Sequence, residues 1–198
     1  MHKAETVARY LLHLAARSPE PCPITHMQLQ KLMYYVQGWS LAYTDEPMFR
    51  GEIQAWAHGP VVKQLYPQFA DFKQEPIPAG QGAESAALRQ QDRALIEAVW
   101  TRYGQFSALR LRAMTHAEQP WKVARGDLPE GKESRAEIGH EALRSFFRGE
   151  MEAWCRRGGM PLDRVERSVA QARAGEATEL DLTGFGRGRL GGRPRVAG

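Results

Sequence analysis

The stretch from Thr25 to Tyr43 reads as one helix with very little on it for water to bind. Its start signal is complete: Thr25 can cap, Gln28 stands at the third helical position to close a capping box, and Ile24 can staple onto Leu29. Leu29, Leu32, Met33, Val36, Trp39 and Tyr43 fall within about a third of the circumference at ~100° per residue. The opposite side carries Gln30, Tyr34, Gln37 and Leu41, then Lys31, Tyr35, Gly38 and Ala42. Few charges remain for solvent, so the helix is expected to be buried on more than one side and to lie at the centre of the fold.

The flanking sequence supplies elements to pack around it. Lys3 to Arg17 is an amphipathic helix with Val7, Leu11 and Leu14 on one side, stopped by Ser18-Pro19 and Pro21-Cys22-Pro23. Asp45-Glu46-Pro47 ends the central helix at about residue 44. Ile53 and Ala55 alternate with polar neighbours, so a short β segment is expected near 49–56. His58-Gly59-Pro60 reads as the opening of another helix through Val61, Val62, Leu65 and Tyr66, with Pro67 limiting it. Residues 76–82 form a Pro/Gly-rich loop, and Glu84 to Tyr103 a long helix that Gly104 stops. Ser107 caps a helix that yields near Thr115-His116; Pro120-Trp121 starts a short one reaching Ala124. Glu137 to Arg157 is a last core helix with Ile138, Leu143, Phe146, Phe147, Met151 and Trp154. The fold class is therefore mainly α, one multi-helix domain over residues 1–157. Residues 158–198 form an extension with a weaker helix near 163–174 and a flexible Gly/Arg tail over 182–198.

Charge locates one further function class. The net +4 of the 198 residues equals the four arginines of the tail, Arg187, Arg189, Arg193 and Arg195, which has no acid, so residues 1–181 are neutral. A basic nucleic-acid-binding body is not supported, but a basic tail is. Its Gly192-Arg193-Pro194-Arg195 resembles an AT-hook core, in which Arg193 and Arg195 would lie in a narrow minor groove. One copy would bind weakly and with strong salt dependence. Cys22 and Cys155 have neither disulfide-framework nor metal-ligand spacing, which suits a reducing cytoplasm. No apolar run approaches the ~20 residues needed to cross a bilayer, and the first helix is too charged for a signal peptide.

Few residues carry chemistry. His26, His58, His116 and His140 share no short ligand interval, so no metal is expected. Glu52, Glu118 and Asp127 are scattered, and Ser107 and Cys22 lack the context of an activated nucleophile. GFGRGR at Gly184 follows no strand, so it is no dinucleotide site. Neither catalysis nor a cofactor is expected. The Gln30, Tyr34, Gln37 stripe suits a recognition surface, since tyrosine is enriched in interfaces; the same residues also suit internal hydrogen bonding. Gly38 and Ala42 would let another helix approach closely. His116 is expected to hold a helix terminus and His58 to order the Gly59-Pro60 turn, their side chains forming an exposed patch with Trp56 and Trp121; Pro60 and Glu118 are further candidates for partner binding.

LQKLMYYVQGW, followed in order by PMF, QAW, HGPVV, YG, THAEQPW and a closing helix with two phenylalanines, resembles the Panacea domain of SocA-like antitoxins. The resemblance runs from about Thr6 to Phe147 and leaves out the extension from about Met151. It implies a mostly helical domain of bacterial and phage toxin–antitoxin pairs. It further implies a protein that neutralises a co-encoded toxin by direct binding, in some members as an adaptor handing the toxin to a cytoplasmic AAA+ protease. A DNA-binding regulator using the tail is the alternative from another class, and a small helical enzyme with an unrecognised site is the third.

Overall fold

The computed structural model describes residues 1–18, 22–79, 87–129, 131–157 and 161–173. The chain begins with β1 (His2–Lys3), α1 (Ala4–Arg17) and α2 (His26–Thr44). It continues through β2 (Phe49–Arg50), β3 (Ile53–Trp56), β4 (Gly59–Val62), α3 (Tyr66–Phe69) and a 3-10 turn over Ala70–Phe72. Five further helices follow: α4 (Gln90–Tyr103), α5 (Ala108–Ala117), α6 (Gln119–Arg125), α7 (His140–Arg156) and α8 (Leu162–Arg173). The fold is mainly α with two small sheets, as the sequence implies. The tail, with Arg193 and Arg195, lies outside the described residues.

Helix α2 is the axis. Gln28 N donates to Thr25 Oγ1 at 3.4 Å and Thr25 N donates to Gln28 Oε1 at 2.9 Å, so the capping box forms. At the other end Asp45 takes the left-handed conformation (φ 59) and its N–H reaches Leu41 O at 3.2 Å, a cap that Asp tolerates better than most side chains. Arg144 and Arg148 of α7 pair with the Asp45 carboxylate and tie the cap down. Seventeen of the nineteen residues of α2 are buried, which requires neighbours all round; α1, α4, α5, α7, α8 and β4 supply them.

The closest approach is at Gly38, as its small size suggests. A Cβ there would lie 2.1 Å from Cε2 of Phe147 on α7. The Phe147 ring fills that notch and meets Tyr34, Tyr35 and Trp39 edge-on, with centroids 5.6, 6.1 and 5.2 Å away. Tyr35 stacks on Tyr103 of α4 at 3.9 Å, and Trp39 Nε1 donates to the Tyr103 hydroxyl at 3.1 Å. Among the described residues no helix is long and apolar enough to cross a membrane.

Several boundaries differ from expectation. The helix expected from His58 is strand β4, which pairs antiparallel with β3 from Ile53↔Val62 to Trp56↔Gly59. The Gly-Pro pair that suits a helix start also suits a tight hairpin. Gly59 sits at φ +94, where a Cβ would come 2.7 Å from Lys31 Cε. Both outer edges of the hairpin are closed. Ala55 N donates to Ala136 O, and Ile138 N donates to Ile53 O, both at 2.8 Å. On the β4 side, proline has no N–H to satisfy, α2 side chains take the Pro60 carbonyl and the Val62 N–H, and Leu65 N donates to Val62 O at 3.0 Å. Pro67 sits in the first turn of α3 and starts that helix instead of limiting it. Helix α7 begins at His140, because Glu137 and Ile138 are held extended against β3. Helix α4 begins at Gln90; residues 84–86 lie outside the described set and 87–89 are not α-helical. Strand β1, parallel to β2, has no sequence signal beyond two residues.

Candidate partner-binding site

The polar stripe of α2 does not face solvent. Gln30, Tyr34 and Gln37 are at most 2% exposed, which corrects their expected placement on a recognition surface. The two glutamines serve as a substitute strand. Val62 N donates to Gln30 Oε1 at 2.8 Å, while Gln30 Nε2 lies 3.0 Å from His26 Nε2. Phe49 N donates to Gln37 Oε1 and Gln37 Nε2 donates to Phe49 O, both at 3.2 Å. Backbone groups that β2 and β4 would leave unpaired against a helix are thereby satisfied, which buried peptide groups require.

Lys31 completes the set. It is 1% exposed and donates from Nζ to Pro60 O at 3.0 Å. Burial, with Arg112 as a second cause, pushes its ammonium from 10.5 down to about 7. A lowered folded value means that its stabilising contribution is present above about 10.5 and is lost as pH falls toward about 7. Lys31→Met cannot titrate. Relative to the parent it should therefore gain stability as pH falls through that window; parallel denaturation midpoints across the series would contradict this.

The second half of the site is the elbow between α5 and α6. Glu118 is extended (φ −86, ψ 143) and ends one helix while starting the next. Its carboxylate turns inward and accepts from the Tyr34 hydroxyl at 2.8 Å and the Tyr35 hydroxyl at 2.9 Å. Loss of hydration raises this carboxyl to about 7; the two tyrosine bonds pull the other way and do not prevail. The elbow is thus latched to α2 by one carboxylate and two phenols.

Beyond the latch, Trp121 donates from Nε1 to Trp56 O at 3.0 Å. The His116 ring stacks on Trp121 with centroids 3.9 Å apart and planes at 15°. The Arg125 guanidinium lies 5.0 Å from the same indole and donates to Ala55 O, Pro129 O and Lys132 O. Beside this stack opens a cavity of about 230 Å³, lined by His116, Trp121, Lys122, Arg125, Gly126 and Leu128.

The structure brings Trp56, His116 and Trp121 together, but Trp121 is only 7% exposed, Pro60 is buried and the Glu118 carboxylate turns inward to Tyr34 and Tyr35, which corrects the expectation that they share one exposed patch. His58 is exposed at the hairpin tip. Its side chain does not order the turn; Gly59 and the Lys31 bond to Pro60 do so. Lys31, Tyr35, Lys122, Arg125 and Leu128 escape a sequence reading. Only Lys31 carries a signal, a lone cation on an otherwise uncharged helix. Among the described residues no group of three His, Cys, Asp or Glu is placed to hold a metal.

The sequence blocks thus interlock: Lys31, Tyr34 and Tyr35 in the first hold Pro60 and Glu118 in two of the others. The family described as Antitoxin SocA-like, Panacea domain, matches residues 29–122, which span all of these contacts. Antitoxin SocA of Caulobacter vibrioides (strain NA1000 / CB15N) is 33% identical over 131 residues, 61% of this chain and 69% of that protein. No solved structure matches. With that identity and coverage, the chain belongs to the SocA-like antitoxin family and carries its Panacea domain.

Proposed function

We propose that the protein is an antitoxin that neutralises a co-encoded protein toxin by direct binding. Contact is made through the face formed by the hairpin tip and the α5–α6 elbow, and the mechanism is occlusion of the toxin's working surface. Family membership supports the role; the observation that carries the choice of face is the burial of seventeen of the nineteen residues of α2. A helix enclosed on all sides cannot meet a partner without unfolding, so the signature acts as scaffold. Recognition falls to what the scaffold presents: His58, the partly exposed Trp56 and His116, and the rim of the cavity. Rigid presentation of a few aromatic and cationic groups is how protein interfaces concentrate their energy.

Co-expression with the adjacent reading frame tests this. That frame should arrest growth alone and be silent when this protein is present, and the two should copurify. A harmless neighbour, or a toxic one that this protein does not rescue, would remove the reading. Occlusion also differs measurably from handover to a cytoplasmic AAA+ protease. Under occlusion the toxin's half-life is unchanged or longer when this protein is present; under handover it shortens and lengthens again when the protease is deleted.

A further inference from the structure

The lining of the cavity at the elbow combines cations with apolar groups. Among the described residues Lys122 and Arg125 line the cavity and no acid does; Asp127, adjacent in sequence, is exposed and not part of that lining. Arg125 is 5% exposed, yet its three hydrogen bonds go to the neutral carbonyls of Ala55, Pro129 and Lys132. A guanidinium carries five N–H donors, so those carbonyls leave donors unspent and the charge without a carboxylate among the described residues. The C-terminal end of α6 offsets part of that charge but supplies no counter-ion. In the same lining are Trp121, 7% exposed, and Leu128, 45% exposed, with Val123 70% exposed two residues beyond Trp121.

We infer that this cavity receives an acidic segment of the protein partner. A carboxylate side chain meets Lys122 and Arg125, and a neighbouring large apolar side chain packs on Trp121 and Leu128. The inference rests on the antitoxin reading and names the chemistry the toxin must present. A protein segment fits better than a nucleic-acid backbone, which is tracked by cations spread along a groove. Here the cations gather around one apolar pocket, the make-up of a protein anchor site.

Titration calorimetry of the full chain against the toxin, at two salt concentrations, tests it with Lys122→Glu, Leu128→Asp and the charge-preserving Lys122→Arg. Lys122 and Leu128 are exposed, so the fold should survive, as circular dichroism would verify. Lys122→Glu and Leu128→Asp should each weaken binding about tenfold or more, while Lys122→Arg stays within about twofold. A peptide array tiled across the toxin should capture the protein at segments pairing Asp or Glu with a large apolar residue. Tight binding by the parent that both disruptive variants retain, or capture at basic segments, would overturn the inference alone. Failure of the parent protein to bind the toxin at all would instead remove the antitoxin reading, and the inference with it.

Discussion

Gly38→Ala is expected to destabilise the protein by about 1–3 kcal/mol, and Gly38→Val to abolish cooperative folding. In an ordinary helix the alanine change would gain about 1 kcal/mol through propensity, so a net loss isolates the clash. The added Cβ would stand 2.1 Å from one Phe147 ring carbon and 2.3 Å from another. The ring cannot swing aside, because Tyr34, Tyr35, Trp39 and Phe146 surround it. Urea denaturation of Gly38→Ala, Phe147→Leu and the double variant gives the check. Residues in contact couple non-additively, and the double variant should be less unstable than the sum of its parts. An additive cycle would mean that α7 can shift away from α2 and that the notch is not what sets their spacing.

The second large effect belongs to Glu118. Glu118→Ala leaves the Tyr34 and Tyr35 hydroxyls buried with no acceptor, at about 1–3 kcal/mol each. Relief of the carboxylate's own desolvation offsets part of that loss. Glu118→Gln keeps one acceptor oxygen and should lie between Glu118→Ala and the parent near neutral pH. The two differ from the parent in pH dependence as well. With the folded carboxyl raised from 4.5 to about 7, the folded state binds more protons than the unfolded state between those values. Stability from this group is then full below about 4.5 and falls as pH rises through about 7. The difference between Glu118→Gln and the parent should move in favour of the variant across that window, with other titrating groups cancelling in the comparison. A flat difference would show that the carboxyl is not held in its protonated form. Because the latch positions the elbow, Glu118→Ala should also weaken toxin binding without the residue touching the toxin.

What was legible depended on the distance over which each decision was made. The capping box of Thr25 and Gln28 is closed within four positions, so the start of α2 can be read directly. The apolar spacing of Leu29 to Tyr43 likewise fixes which residues share a face, and the uncharged remainder implies burial beyond one side. Gly38 signals a close approach because no other residue gives up its side chain. The hairpin is not legible locally, because Gly59-Pro60 is compatible with a helix start and with a strand. The choice is made by Gln30 and Lys31, which take up the Val62 N–H and the Pro60 carbonyl from positions 32 and 29 residues away. Glu118 gave no sign of its role, since its phenol partners stand 84 and 83 residues distant.

The sequence by itself determined the central helix, its N-terminal capping box, the mainly helical class and the family. Those follow from periodicity and from blocks of residues that are local in the chain. Only the tertiary structure decided where the polar stripe of α2 points. Periodicity orders side chains around a helix axis, but it does not say whether water or another strand lies beyond them. Here the edges of β2 and β4 lie there, and their unpaired backbone groups claim Gln30, Lys31 and Gln37, while the elbow's carboxylate claims Tyr34 and Tyr35. The residues that look most like a recognition surface are consumed in holding the fold. The surface proposed for a partner includes the elbow cavity, lined among the described residues by Trp121, Lys122, Arg125 and Leu128 where the Glu118 latch sets α6 against β3.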